Sequence, residues 1–439
     1  MEDLWKSSRR QPGRLVGAQY GNPGLMTAHD VAAALLALAT IALIIVRPWR
    51  IQEWIWAVAG AGMAILTGLI SVPSALLSIG HGWNVYLFLA GILLFAEVAR
   101  QHGVFHALAG IALRAARGSQ FRLFTLFFAA GVLITAFLSN DTTAVVLTIA
   151  IVAALFDTDV SAIPYVCACA FVANAASFIL PISNPTNLLV FDGHIPLLAD
   201  WIVRFGIPSV VAIALTYGSL LWLFRKTLRE PFVLVNEKQV LSNAGRAAAV
   251  MLGVSVLGLL AANVFGFSIG VTAAICGTLT LAVVTCVDRR TFTETIRHVA
   301  WGIIPLVAGL FVIVGMLNGA GLLTSAHALF QRIATLPPHE ATLTTAAIIT
   351  AASNIFNNLP VALFSSYILQ ANTLPRSITD ATLIAVDLGP NLSVTGSLAT
   401  LLWLIIIRQA RIKVTPWHFF CFGLVVCLPA LTLVVSSIR

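Results

Sequence analysis

Long apolar segments with almost no charge dominate this chain. They lie near residues 31–48, 54–71, 83–99, 202–224, 247–264, 268–287 and 415–437. Each runs for about 18 residues or more, which is the length that a helix needs to cross roughly 30 Å of hydrocarbon. The pattern therefore predicts membrane-spanning helices, not the core helices of a soluble domain.

Composition agrees with this interpretation. Of the 439 residues, 59% are hydrophobic and 10% are charged, whereas an ordinary globular domain is about 25% charged. The first 27 residues are polar and basic, so we expect no cleavable signal peptide, and the first span is expected to direct insertion. The six cysteines form no CxxC pair, so no disulfide framework and no metal site are predicted. No cofactor, no phosphate-binding loop and no enzymatic activity are predicted either.

The net charge of +8 follows the positive-inside rule for membrane proteins, so it calls for no nucleic-acid partner. Lys and Arg cluster in the segments 47–50, 100–122, 225–238, 289–297 and 408–413. None occurs in the intervening segments 72–82, 192–200 and 264–268, which are expected to form loops. We assign the basic loops to the cytoplasm of a bacterial inner membrane, which places both termini outside. Four basic residues in the first 14 positions run against this orientation.

The chain also repeats itself weakly. The matches are 89–105 with 307–323, Ser139-Asn140 with Ser353-Asn354, and Pro181 with Pro390, at offsets of 218, 214 and 209 residues. Internal symmetry of this kind is typical of transporters. It divides the chain into a polar N-terminal extension (1–27), a first transmembrane repeat (28–224), a cytoplasmic linker (225–244) and a second transmembrane repeat (245–439).

Each half is expected to contain three spans, an amphipathic segment, a polar-tipped hairpin, an interrupted span and a closing span. The first hairpin, at 119–156, has short arms and a tip, SNDTT, that is too polar to face lipid. We therefore predict that it is re-entrant, which leaves five crossings per half and inverts the second half. The predicted fold is an all-α polytopic membrane protein with two inverted-topology repeats, each carrying a re-entrant hairpin and a broken helix.

Four polar clusters interrupt the apolar helices. Backbone that leaves a helix within hydrocarbon needs partners from protein or from a water-filled cavity, and broken helix ends direct N–H groups and carbonyls at the contents of that cavity. A single cluster could equally well bond helices together, but four that pair through the repeat indicate a substrate site near the midplane. The predicted substrate-binding residues are Ser139, Asn140, Thr142, Ser183, Asn184, Thr186, Asn187, Ser353, Asn354, Asn357, Asn358, Asn391, Ser393, Thr395 and Ser397.

Two carboxyl groups lie within these clusters. Asp141 and Asp387 are the predicted proton-coupling residues, because ionisable groups at membrane depth are usually functional and a carboxyl group can alternate between charged and neutral forms. The repeat offset aligns Asp387 with Phe178, so Asp387 has no acidic counterpart, which suits one coupling ion. Glu97 is expected to form an interfacial ion pair with nearby Arg100.

These residues resemble the arsenical pump membrane protein family, the arsenite and antimonite efflux permeases of the ion transporter superfamily. The run DLGPNLSVTGSLATLLWL at 387–404 resembles that family's Asp-Leu-Gly-Pro…Gly-Ser-Leu-Ala-Thr-Leu-Leu-Trp signature, and NNLP at 357–360 resembles its Asn-Asn-hydrophobic-Pro element. The similarity covers most of the chain after about residue 28. Two segments depart from the family pattern: SNDTTA replaces the usual Ala-Asn-Asp-Gly-Ala, and SNPTN at 183–187 is more polar than usual.

The resemblance implies export of As(OH)₃ or Sb(OH)₃ in exchange for protons, through an elevator-like alternating-access movement, with a cytosolic ATPase as a further partner in some members. The residues agree, since a neutral trihydroxide needs amide and hydroxyl partners and no Arg or Lys lies in the four clusters. Two alternatives stay open. One is a sodium/proton antiporter of the same superfamily, with oxygen ligands for a hard cation. The other is a membrane subunit that only scaffolds a partner ATPase.

Overall fold

The computed structural model describes residues 27–156, 158–233, 241–369 and 374–438, and no β-strand occurs within these ranges. The N-terminal extension predicted for 1–27 and the middle of the predicted linker, 234–240, lie outside the described residues, apart from Thr27. The first ten helices are α1 Ala28–Val46, α2 Glu53–Leu66, α3 Val72–His81, α4 Trp83–Gln101, α5 Val104–Ala115, α6 Gln120–Phe137, α7 Thr142–Leu155, α8 Ile163–Ala175, α9 Pro185–Val190 and α10 Leu198–Phe224. The next ten are α11 Asn243–Val264, α12 Ile269–Val287, α13 Arg290–His298, α14 Ile303–Gly319, α15 Leu322–Ala334, α16 Pro338–Phe356, α17 Asn358–Leu369, α18 Arg376–Leu388, α19 Leu398–Gln409 and α20 Pro416–Ser436.

Within the described ranges, eight helical segments are long and apolar enough to cross a membrane. They are α1, α4, α6, α10, α11, α12, α13 together with α14, and α20. The predicted all-α polytopic fold class is thereby confirmed. The first hairpin arm, α6, is 18 residues long and is one of the eight, whereas α7 is shorter. The re-entrant path of the hairpin and the inversion of the second half therefore stay predictions.

The predicted span at 54–71 is wrong in extent. The helix ends at Leu66, and the chain turns through Gly68 at φ +73°. The residues after it, expected to form a loop over 72–82, instead form α3. Ser71 caps this helix by accepting a hydrogen bond from the backbone N–H of Ser74. Pro73 lies in the first turn, where its missing N–H removes no intrahelical bond.

The helices follow one another in the same order in the two halves. Helices α1 to α10 of the first half therefore correspond to helices α11 to α20 of the second. The helix breaks fall at 176–184, between α8 and α9, and at 389–397, between α18 and α19. Helices α6 with α7 and α16 with α17 form the two hairpins. Both α8 and α18 have 13 residues, so their positions can be paired one by one.

Glycines allow the two halves to pack closely across their interface. Helix α4 packs on α12, and the corresponding helix α14 packs on α2. A Cβ atom at Gly91 would overlap the backbone carbonyl of Ala273, and one at Gly309 would lie 2.7 Å from the carbonyl oxygen of Ala57. Small residues permit such close approach between membrane helices. The same contact is therefore made twice, with the roles of the halves exchanged.

Candidate functional site

The two helix breaks meet at the carboxyl group of Asp387. This residue is the last but one of α18 and is fully buried. Its Oδ1 accepts hydrogen bonds from Asn184 Nδ2 at 2.9 Å and from Thr186 Oγ1 at 2.6 Å. Its Oδ2 is buried and has no protein partner. A predicted proton-coupling residue of the second half is thus held by two predicted site residues of the first.

An amide occupies the corresponding position in the first half. Pairing the 13-residue helices α8 and α18 aligns Asn174 with Asp387. Asn174 Nδ2 donates to Asn391 Oδ1 at 3.0 Å and lies 3.5 Å from Thr400 Oγ1. Each helix before a break therefore reaches into the other half's break. The predicted pairing of Asp387 with Phe178 used the offset between Pro181 and Pro390. It is wrong, because the ends of α8 and α18 align the two helices differently.

Side chains of the first break satisfy its unwound backbone. Asn187 Nδ2 donates to the carbonyl oxygens of Ser177 at 3.0 Å and Leu180 at 3.2 Å. Ser183 Oγ donates to the carbonyl oxygen of Ala136 on α6 at 2.9 Å, which ties the break to the first hairpin. These bonds replace the helical bonds that the break removes, as burial of backbone polar groups requires.

The second hairpin and the second break form one hydrogen-bonded unit around Asn354. Its Nδ2 donates to the Gly389 carbonyl oxygen at 3.0 Å, and its Oδ1 accepts from Ser393 Oγ at 2.6 Å. Thr395 Oγ1 donates to the Asn354 carbonyl oxygen at 2.8 Å. Asn357, at φ +74°, forms the hairpin tip and donates through Nδ2 to the Thr395 carbonyl oxygen at 3.2 Å. Ser353, Asn358 and Ser397 are buried beside this unit.

The first hairpin tip is bonded only locally in the described structure. Ser139 Oγ lies 2.9 Å from Thr142 Oγ1, and the backbone N–H of Asp141 donates to Asn140 Oδ1 at 2.9 Å. The Asp141 side chain is partly exposed and does not join the hydrogen bonds around Asp387. A π-helical turn, Thr142–Leu147, follows the tip, and such turns occur frequently at functional sites.

The second arm of each hairpin packs on the other half's broken helix. Helix α7 contacts α19, and the corresponding helix α17 contacts α9. Hydrogen bonds therefore join three of the four predicted clusters, through Asn184 with Asp387 and Asn354 with Ser393, whereas the first hairpin tip makes only local hydrogen bonds. None of the cluster residues lines either of two surface cavities found among the described residues.

The larger of these cavities, about 700 Å³, lies at the C-terminal end of α9. Asp192, His81 and His194 are among its lining residues. Burial raises the pKa of Asp192, and the nearby imidazoles of His194 and His81 oppose the shift. Asn84 donates to the Gly193 carbonyl oxygen at 3.4 Å and so holds the loop that follows α9. This loop carries ionisable groups close to the broken helix that contacts Asp387.

Sequence reasoning missed a buried ion pair between the halves. Arg204 on α10 forms a salt bridge with Asp380 on α18, and both side chains are almost buried. The Arg204 guanidinium also lies over the rings of Phe191 at 5.2 Å and Phe205 at 5.1 Å. Asp380 precedes Asp387 by two helical turns, so the pair fixes the helix that carries the candidate proton carrier.

One ion pair expected from the sequence is present in the structure. Glu97 and Arg100 form the expected ion pair, with Arg100 Nε 2.7 Å from Glu97 Oε2. Cys167 and Cys169 are free thiols buried in α8. No group of three or more metal-ligating side chains occurs among the described residues.

Comparison with known proteins agrees with the predicted family and fold class. The sequence profile of the citrate transporter (CitMHS) family matches residues 41–389. An arsenical pump membrane protein of Escherichia coli is 26% identical over 418 residues, covering 92% of this chain and 97% of the relative. A second, from Escherichia coli strain K12, is 27% identical over 421 residues, covering 93% and 98%. The resemblance predicted from the sequence is confirmed by these relatives.

One solved structure is similar over nearly the whole chain. The crystal structure of the Alcanivorax borkumensis YdaH transporter, described as having an unusual topology, matches with a TM-score of 0.54 at 14% identity. The match covers 93% of this chain and 97% of that one. It supports the transporter fold alone. Because the family profile spans most of the chain, this multi-pass membrane protein belongs to the citrate transporter (CitMHS) family.

Proposed function

We propose that this protein is a secondary active transporter of the bacterial inner membrane that exports arsenite or antimonite, as the neutral trihydroxide, in exchange for protons. The carboxyl group of Asp387 carries the proposal. One oxygen accepts from Asn184 and Thr186, while the other is free of protein partners. The bonded oxygen can keep both donors when the group is neutral, with the proton on Oδ2. The hydrogen bonds from Asn184 and Thr186 are therefore compatible with both protonation states of Asp387.

The chemistry of the broken helices favours a neutral cargo. The side chains bonded around the breaks are amides, hydroxyls, the Trp201 indole, the Cys427 thiol and one carboxyl group, none of them cationic. The nearby Arg204 is already paired with Asp380. A citrate anion would call for Arg side chains or free helix N-termini to balance its charges. The family is named for citrate, but these residues suit an uncharged polyhydroxy solute better, and the arsenical pump relatives align over nearly their full length.

We assign the proton-coupling role to Asp387 and, at the first hairpin tip, to Asp141. The amide and hydroxyl residues of the four clusters are the proposed substrate ligands. Alternation would expose them in turn to the two sides by an elevator-like movement of the hairpins and broken helices. Export would then need no ATPase subunit.

The test is uptake into everted inner-membrane vesicles with an imposed acid-inside pH gradient. Arsenite, antimonite, sodium and citrate are compared side by side. We expect arsenite and antimonite to accumulate only while the gradient lasts, and a protonophore to stop uptake even with ATP present. Gradient-driven movement of citrate or sodium without arsenite would contradict the proposal, as would arsenite uptake that survives the protonophore and requires ATP.

A further inference from the structure

We propose that the cavity of about 700 Å³ at the C-terminal end of α9 is the external vestibule of the transport path, where the neutral trihydroxide leaves the protein. This inference rests on the proposed function, because it takes the trihydroxide as the exported cargo. It adds the place of release and the residues that lie between that place and Asp387.

Helix α9 connects the cavity with the hydrogen bonds around Asp387. Asn184, the N-cap of this six-residue helix, and Thr186 in its first turn both donate to Asp387. Leu188 and Leu189 of the same helix line the cavity. Leu189 follows Thr186 by three residues, about 4.5 Å along the helix axis, and residues at this spacing are neighbours on a helix surface. About one helical turn therefore lies between the cavity and the side chains that bind Asp387.

The cavity lies on the side of the membrane that the charge pattern assigns to the outside. All three segments without Lys or Arg contribute to its lining. Gly80 and His81 come from 72–82, Asp192 and His194 from 192–200, and Phe267 and Ser268 from 264–268. The smaller cavity is lined mainly by residues of the basic segment 100–122, which is assigned to the cytoplasm. Under the positive-inside rule, the larger cavity therefore opens to the outside.

The cavity also lies at the seam between α9 and the helices of the glycine contacts. Helix α9 and the loop after it form one wall. Asn84 of α4, Ile269 of α12 and Phe311 of α14 line the other, and α4 contacts α9 directly. An elevator-like movement of the broken helices would shift α9 along this seam. The vestibule is thus placed where such a movement would open the way from Asp387.

The lining suits a hydrated neutral solute. Cavities of about 300–1,000 Å³ hold drug-sized ligands, so this one has room for a trihydroxide together with water. Asp192, His81 and His194 offer carboxyl and imidazole groups that can form hydrogen bonds with hydroxyls. Among the described residues that line the cavity, none is Lys or Arg. An anion would therefore find no paired cation there, whereas a neutral polyol loses nothing by that.

The backbone holds Asp192 at the cavity in an unusual conformation. Asp192 and Gly193 have φ values of +49° and +72°, and the Asp192 N–H donates to the Leu189 carbonyl oxygen at 3.0 Å. A non-glycine residue rarely adopts positive φ, and such strain is concentrated at functional sites. Asn263 of α11 donates to the Pro196 carbonyl oxygen at 3.3 Å and anchors the same loop. These contacts keep an acidic side chain directly beyond the end of α9.

The test introduces single thiols into the full-length protein. Gly80→Cys and Ile195→Cys place them in the cavity lining, and a Cβ atom at Gly80 would meet nothing within 4 Å in the described structure. Intact cells are treated with a bulky, membrane-impermeant methanethiosulfonate, washed and assayed for arsenite export. We expect both thiols to react and most of the export to be lost, because the attached group occupies the vestibule. In everted vesicles the cavity faces the lumen, so reagent added outside should not react.

Gly319→Cys is the matched control. Gly319 ends α14, is exposed, has open space at its Cβ position and does not line the cavity. The charge pattern assigns it to the outside, because segment 289–297 before α14 is assigned to the cytoplasm. We expect its thiol to react without loss of export. Treated wild-type protein shows the contribution of the six native cysteines.

Two outcomes would overturn the vestibule while the proposed function stands. One is full export by both lining variants after their thiols have reacted. The other is a reaction of these thiols only in everted vesicles, a result that can be read even from a variant that exports poorly. Failure of the untreated wild type to export arsenite would instead overturn the proposed function, whatever the labelling pattern.

Discussion

Asp387 and Asn174 occupy equivalent places at the ends of α18 and α8, yet only one of them can take up a proton. Each reaches across to the break of the other half. The hydrogen bonds need only an acceptor at 387 and a donor at 174, so the carboxyl group at 387 is not required by the fold. This points to a role for its proton.

For Asp387→Asn we expect proton-coupled export to be lost while arsenite exchange and folding persist. The amide keeps the size of the side chain and an oxygen that can accept from Asn184 and Thr186, but it does not titrate. Uptake by everted vesicles and exchange in proteoliposomes measure the two activities. Asp200→Asn, an exposed acid at the start of α10, is the matched control and should behave as wild type.

Asp141→Asn is predicted to lose coupled export as well, although Asp141 lies outside the hydrogen bonds around Asp387. The same vesicle assay applies. Unchanged arsenite uptake in both single variants would remove the proton-carrier assignment from this pair of residues.

Thiols are predicted to be dispensable. Cys167→Ala/Cys169→Ala should retain arsenite export, because both side chains are buried in α8 and an exporter has to release its cargo, which several thiolates would hold tightly. Export lost at a normal level of expressed, monodisperse protein would show that thiol ligation matters.

At the scale of helices, the glycine contacts between the halves predict which substitutions lower the stability of the protein. Gly91→Ala should lower the free energy of unfolding by about 1–3 kcal/mol or more, because the added methyl group meets backbone at Ala273, which cannot rotate away. Thermal unfolding in detergent measures the loss. Gly253→Ala, on α11 with open space around it, is the control and should be neutral or slightly stabilising.

The ion pair between α10 and α18 allows a second test at this scale. Asp380→Leu leaves Arg204 buried without its partner, which we expect to cost about 3–5 kcal/mol of folding free energy. Arg204→Leu/Asp380→Leu removes both charges and should recover much of that loss. Equal destabilisation by the single and the double variant would mean that burial of the lone charge is not the cause.

Sequence reasoning predicted helix breaks and hairpin tips well, because Pro, Asn and Ser stand out against apolar helices. It did not find α3, although Ser71 and Pro73 form a recognisable helix start. It also missed Arg204 and Asp380, which are 176 residues apart. Asn174 was missed for another reason. A single amide in an apolar helix can be recognised as the counterpart of Asp387 only when the alignment of the two repeats is known.

At the scale of the whole molecule, the charge pattern predicts that both termini lie outside and the linker inside. A green fluorescent protein inserted between residues 233 and 241 should fluoresce, whereas one fused after residue 439 should stay dark. Alkaline phosphatase fused at the C-terminus should be active, since it matures only outside the cytoplasm. The reverse pattern would contradict the predicted orientation of the molecule in the membrane.

The unequal pair at 174 and 387 also bears on energy supply. If the cargo is neutral and the carrier is a carboxyl group opposite an amide, each proton that enters brings a positive charge that nothing cancels. Transport is then electrogenic. A membrane potential of 100 mV does about 2.3 kcal/mol of work on one charge, enough for roughly a 50-fold arsenite gradient. We therefore expect a membrane potential imposed with potassium and valinomycin to drive arsenite movement at equal pH on both sides. A bacterium with almost no pH gradient across its membrane would then still export arsenite.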